Sequence, residues 1–145
     1  MLDSLQGNRD ITGSQLENMR NATFPTPLLN YKERGGSVEL KGKAKVGERD
    51  AYELILKPKT GPTARQFVDA ETYLPLRLVV AVEVPQMGEL DQTTDFLDQR
   101  DVDGVKVPFL LKSSSAAQSF TITITKVEHN TKVDDKLFVK PAGGR

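Results

Sequence analysis

From Ser37 onward, apolar and polar positions alternate along the chain with a period of two. Val38, Leu40, Gly42, Ala44 and Val46 share one parity, while Ser37, Glu39, Lys41, Lys43 and Lys45 share the other. That pattern predicts a strand with one face turned to a core. Gly47-Glu48-Arg49-Asp50 reads as a turn into a second strand carrying Tyr52, Leu54 and Leu56, and the Pro58 to Pro62 stretch, with Gly61, predicts the next reversal. Phe67 and Val68 end a third strand. Leu76, Leu78, Val80, Val82 and Val84 share one face of a fourth that stops at Pro85 and Gly88. A fifth passes through Thr94, Phe96 and Leu97. Asp103-Gly104, a dipeptide suited to positive φ angles, turns it into a sixth with Val105, Val107, Phe109 and Leu111. The seventh sets Phe120, Ile122 and Ile124 against Thr121, Thr123 and Thr125, and a short VDDKLF turn follows. Every connection is too short for a parallel crossover. The expectation is a mainly β fold: a curved antiparallel sheet, or unclosed half-barrel meander, of seven strands.

Residues 1–36 break the pattern, being polar, unalternating and rich in Asn, Gly and Pro. They are expected to form a separate N-terminal segment ahead of a β-domain spanning 37–145. Ser14-Gln15-Leu16-Glu17 fits a capping box, and Leu16, Met19 and a closing Pro25 predict a short helix from about Ser14 to Ala22 that serves as a lid.

Paired acids raise the question of chemistry. In FVDAETYLPLRL, Asp69 and Glu71 lie between two apolar runs, yet the same layout recurs in DVDGVKVPFL, with Val-Asp before the turn and an aliphatic-Pro pair after it. A motif used twice reads as hairpin punctuation, with Asp capping the turn and Pro starting a strand where no N–H is needed. The acids Glu89, Asp91, Asp95, Asp98, Asp101 and Asp103 form a solvated strand face plus a hairpin, since Asp101-Val102-Asp103-Gly104 holds only a fragment of a calcium loop. His129 is the only histidine, too few for a three-ligand zinc site without several carboxylates. Ser113, Ser114 and Ser115 fall in a polar loop and not in a nucleophile elbow. Lys41, Lys43 and Lys45 on one strand face lack interleaved aromatics and are diluted by Glu39 and Glu48, so no nucleic-acid partner is expected. Gly35-Gly36 precedes a strand and is no phosphate cradle, and the Asn21-Ala22-Thr23 sequon is short enough to arise by chance. No catalytic residues, metal or cofactor are expected.

Composition adds little beyond exclusions. The 145 residues fit one domain, and with no cysteine the chain has neither disulfides nor thiolate sites. Twenty basic and twenty acidic residues cancel, so no global field attracts a polyanion. The apolar stretch Leu74 to Val84 is broken by Pro75, Arg77 and Glu83 and falls short of the ~20 residues of a membrane span. The opening MLDSLQGNRD has no leader pattern, so the chain is expected either to stay inside the cell or to be shown without its leader. The patterning implies more apolar sheet face than one short helix can cover, leaving self-closure, a second copy or an apolar ligand to shelter it.

GKAKVGERDAYEL (42–54), FVDAETYLPLR (67–77), DVDGVKVPF (101–109) and VDDKLFVKP (133–141) together resemble the outer-membrane lipoprotein-sorting proteins of the LolA and LolB type, over roughly Leu28 to Pro141. The resemblance implies an unclosed antiparallel barrel, helices plugging its open side, and an apolar cavity for lipoprotein acyl chains in the periplasm or another extracytoplasmic space. It places this chain at the C-terminal portion of such a domain. The family's cargo-handling arginine and most of its cavity aromatics belong to the other half, so no functional residue carries over. The expectation is therefore a non-enzymatic lipid carrier or binding domain whose apolar concave face, lined by Leu40, Leu54, Leu56, Leu78, Val80, Val82, Phe96, Ile122 and Ile124, takes the acyl chain of a lipoprotein or other lipid. The alternative is a structural or interaction β-domain that forms a homodimer, or packs on a larger secreted protein, through the same face.

Overall fold

The computed structural model describes residues 2–3, 7–8, 10–22, 26–84 and 86–139. Pro25, Thr23 of the sequon, Pro85 and the closing Lys140-Pro141 of the last motif lie outside them. A two-residue ladder joins Leu2–Asp3 to Gly7–Asn8, and helix α1 spans Gly13–Asn21. Seven strands follow: β1 Ser37–Val46, β2 Arg49–Lys57, β3 Ala64–Asp69, β4 Pro75–Val84, β5 Gly88–Val102, β6 Val105–Ser114 and β7 Ser119–Thr123. They form one antiparallel sheet in strict chain order, left unclosed, with β1 and β7 at its edges.

The turns follow their chemistry. Asp103 (φ 52) and Gly104 (φ 81) both adopt left-handed backbone in the β5–β6 hairpin, as the tightest hairpin turns require. In the β3–β4 hairpin Asp69 Oδ1 accepts from the Thr72 and Glu71 N–H groups at 2.8 and 3.1 Å and from the Thr72 hydroxyl at 2.9 Å, while Oδ2 meets Arg49 Nε at 2.9 Å. The Asp69 carboxylate is buried and spent on the turn, as the repeated motif predicts. The second copy of the motif differs: Asp103 forms the turn itself, and the cap comes from Asp101 two residues earlier, which accepts from Gly104 N–H at 3.0 Å and pairs with Lys106 at 3.4 Å. A 3₁₀ turn at Asp135–Phe138, capped by Asp134, matches the expected VDDKLF turn.

Register decides which residues share a face, because ladder partners point the same way. The row Val38–Leu56–Ala64–Val80–Gln92 crosses five strands, and the next, Leu40–Leu54–Gln66–Leu78–Thr94–Ser113–Phe120, crosses all seven. Beyond it Phe96 pairs with Leu111 and Leu111 with Ile122. The opposite face is ionic: Lys41 meets Glu53 at 3.4 Å, Arg65 meets Asp91 at 3.1 Å, and Arg77 forks onto both oxygens of Asp95. Asp95 holds the Arg77 pKa above its ordinary value.

One expectation about β1 fails. The register shifts between Leu40 and Gly42, where Lys41 is an extra, bulged residue, so Lys43 pairs with Tyr52 and Ala44 with Ala51. Val38 and Leu40 therefore share a face with Lys43 and Lys45, whereas Gly42, Ala44 and Val46 lie on the ionic side. The three lysines do not form one stripe. A second correction concerns Ser113 and Ser114, which belong to β6 and not to a loop.

The core is thin. Ala51, Leu56, Val68, Leu76, Val79, Val107 and Phe109 are its buried apolar residues, and among the described residues no large side chain is wholly enclosed. Arg100 covers Phe109, its guanidinium 4.4 Å from the ring centroid, and Asp98 grips that guanidinium.

Candidate ligand cleft

Three segments that are polar or irregular in sequence come together over one end of the apolar face. Helix α1 is tied down by Asn18 Nδ2, which donates to the Ala81 carbonyl in β4 at 3.3 Å, and by Asn21 Nδ2, which donates to the Thr60 carbonyl at 2.9 Å. The Thr60 hydroxyl donates to Glu17 Oε2 at 2.6 Å, and Arg20 Nη1 lies 3.0 Å from Oε1. That hydroxyl first, with Arg20 helping against partial desolvation, holds the Glu17 carboxyl below its usual value. Glu17 thus docks the helix and is not spent on its own N-terminus. The N-cap is Thr12, whose side chain makes no capping bond; the Ser14 hydroxyl of the expected capping box lies outside the described side chains.

Gly61 makes the contact possible. Its φ is +91°, and a Cβ there would sit 2.9 Å from Asn21 Nδ2 and 3.1 Å from Glu17 Cβ. Gly36 is equally tight, because a Cβ would lie 3.1 Å from the Lys57 carbonyl and 3.2 Å from that of Tyr31. The turns of residues 27–35 are held by Arg34, which donates to the Pro27 and Leu29 carbonyls at 2.8 and 3.2 Å.

Between this cover and the sheet lies a cleft of about 300 Å³. Val38, Leu56, Ala64, Leu78 and Val80 make its floor, while Asn18, Asn21, Pro27, Tyr31, Pro58 and Pro62 stand around it. Among the described residues that line it, the charged ones are Arg34, Lys57 and Lys59. Lys57 also pairs with Glu39 at 3.4 Å.

The nine expected lining residues all share the face that the cleft uses, but they do not form one site. Leu56, Leu78 and Val80 line the cleft. Leu54 and Leu40 sit in the row with Leu78, and Leu40 stays 60% exposed. Val82, opposite Leu90, lies one row outward. Phe96, Ile122 and Ile124 lie past a polar row that the patterning did not anticipate. Gln66 is 2% exposed and donates to the Arg77 carbonyl at 3.0 Å; Ser113 is buried and bonded to Gln92 Nε2 at 2.8 Å and to the Thr94 hydroxyl at 3.1 Å. These groups interrupt the apolar face between the cleft and the Phe96 side.

The N-terminal side of the cleft was missed by the alternation argument, since Tyr31, Pro27 and the two asparagines belong to no period. Asn21, the sequon residue, faces the Thr60 carbonyl. His129 pairs with Asp103 at 3.3 Å, which ties the segment after β7 to the tip of the β5–β6 hairpin, away from the cleft residues. Among the described residues no three acidic or imidazole groups converge as a metal site would need, and no helix is long and apolar enough to cross a membrane. Comparison with models of known protein families, with curated proteins and with solved structures gives no match.

Proposed function

We propose that this chain is a non-enzymatic binding or carrier domain for a single acyl chain of a lipid or lipoprotein, acting in the periplasm or another extracytoplasmic space as the resemblance to lipoprotein-sorting domains implies. The observation that carries the reading is the cleft: an apolar floor of β-sheet side chains, a helix and a set of turns held over it, and Arg34, Lys57 and Lys59 among its lining residues. Ligand sites are concave and mostly apolar, with a few polar groups that fix orientation, and about 300 Å³ is the low end of their range. That volume suits one chain, and Arg34, Lys57 and Lys59 favour an anionic head group at the rim. Desolvation drives binding, at ~0.8 kcal/mol per methylene removed from water.

Native mass spectrometry of the purified protein, together with displacement of a fluorescent fatty acid, tests the reading. A co-purifying lipid or saturable probe uptake supports it. Neither signal from folded protein overturns it.

A second reading rests on a different observation. Leu40 (60% exposed), Phe120 (42%) and Ile122 (47%) remain uncovered on the same sheet face, so that face also suits packing against another protein surface.

A further inference from the structure

The two edges of the sheet are built differently, and the difference points to a partner. Edge strand β1 carries Glu39, Lys41, Lys43 and Lys45 and is kinked by the Lys41 bulge. Charges and bulges are the devices by which edges avoid pairing with other strands. Edge strand β7, Ser119-Phe120-Thr121-Ile122-Thr123, has no charge, no proline and no bulge, and all five residues are exposed. Among the described residues, no strand lies beyond it.

Its backbone polarity follows from the ladder. Ile124 N–H donates to the Phe109 carbonyl, and Ser115 N–H to that of Gln118, so Gln118 and Ile124 belong to the hydrogen-bonded pairs with β6. Alternation then puts Phe120 and Ile122 in the same inward-bonding set, and turns the N–H and C=O groups of Ser119, Thr121 and Thr123 outward.

We infer that β7 is an association edge for a second copy of this chain, pairing antiparallel with its own twin about a two-fold axis at Thr121. In that register Ser119 faces the twin's Thr123 and Thr121 faces Thr121, giving about six backbone hydrogen bonds. Phe120 meets the twin's Ile122 at the non-hydrogen-bonded positions, where side chains approach most closely and aromatic–β-branched pairs are favourable. Both residues lie in rows of the cleft-side face, so pairing shelters part of the surface left bare at Phe120 and Ile122. The arrangement closes on itself, whereas pairing β7 with a twin's charged, bulged β1 would propagate without end. One short strand pair buries less than the ~1,200 Å² of a stable interface, so the association is weak, in the micromolar range or above. It is independent of the ligand reading, since it uses no cleft residue.

Sedimentation velocity from about 10 to about 500 μM, a range that brackets such affinities, tests the inference on the full chain. Wild type is expected to shift from 16.0 kDa toward twice that mass. Thr121→Pro removes an outward N–H and leaves the ladder with β6 intact, so it should stay monomeric with an unchanged circular dichroism spectrum. Thr121→Lys and Thr121→Glu should each be monomeric alone, because like charges would oppose each other across the axis, and an equimolar mixture of the two should dimerise. A wild type that stays monomeric throughout the range overturns the inference. So does dimerisation by Thr121→Pro, which would place the contact elsewhere, or a Lys/Glu mixture no better than its components, which would remove Thr121 from the axis.

Discussion

If one acyl chain fills the cleft, affinity must depend on chain length in a particular way. The perturbation is a series of straight-chain fatty acids of about six to about sixteen carbons, whose methylenes each contribute ~0.8 kcal/mol when removed from water. At ~0.59 kcal/mol for RT that is roughly a fourfold gain in affinity per carbon, less wherever a methylene stays wet at the open side of the cleft. The cleft holds about 300 Å³. A chain lying along the floor can lengthen only until it meets Gln92 and the Gln66–Thr94–Ser113 row. Affinity should therefore climb by roughly two- to fourfold per carbon and then level off at a chain length inside the series. Displacement of a fluorescent fatty acid reads this directly, with isothermal titration calorimetry as the check. Val80→Glu, which sets a carboxylate on the cleft floor, should abolish the climb while the circular dichroism spectrum is unchanged. A flat series refutes the reasoning, and so does a climb that continues without a break to the longest chain, because that would describe adsorption to an open face.

Three other outcomes follow from the same geometry. Replacing Gln92, Thr94 and Ser113 together by Leu, Val and Ala removes a mutually bonded polar set without orphaning any of its side-chain members; the break in the chain-length series should then move to longer chains by a few carbons. Gly61→Ala puts a side chain at a left-handed φ and against Asn21 and Glu17; it should lower stability by about 1 to 3 kcal/mol in urea unfolding and speed ligand release in stopped-flow more than a change confined to the β2–β3 turn would. Asp69 gives the acid limb of stability. The Thr72 N–H above all, then the Thr72 hydroxyl, the Glu71 N–H and Arg49, outweigh desolvation and hold its native pKa below the ordinary 3.8. Its contribution is thus complete above that pH and is lost as pH falls through the lowered native value. The urea midpoint of wild type should drop more steeply below pH 3.8 than that of Asp69→Asn, and parallel curves would contradict the assignment.

The strands were legible because each has one face that must be apolar, and the turns because Asp-Gly and capping Asp residues have few other uses. The bulge in β1 was not legible from alternation, since a single extra residue reverses the parity of everything after it. Gly42, with φ +151° in the middle of a strand, was the available signal, as interior glycines often mark bulges. Treating it as a small core residue carried Ala44 and Val46 to the wrong side. The polar row was visible residue by residue and invisible as a row. Gln66, Thr94 and Ser113 come from three strands, and only the register aligns them with Leu54 and Leu78.

The cleft depends on cover, and cover depends on contacts between parts of the chain far apart in sequence. A nine-residue segment with a capping-box pattern announces a helix, but its docking site is fixed by contacts as remote as Asn18 to Ala81, 63 residues apart. A helix of nine residues spans only about 14 Å at 1.5 Å per residue, whereas seven strands at ~4.8 Å spacing give a sheet about 29 Å wide. One such helix, with the turns of residues 27–35, therefore shelters the Val38–Val80 end and cannot extend over the width of the face. What it leaves is handled locally: Arg100 lies over Phe109, the polar row satisfies itself by hydrogen bonds, and Leu40, Phe120 and Ile122 stay exposed. A covered cleft at one end and a bare strip along β7 are thus two consequences of one shortage. Lengthening the cover would suppress the strip before it altered the cleft, since the floor residues are already beneath it.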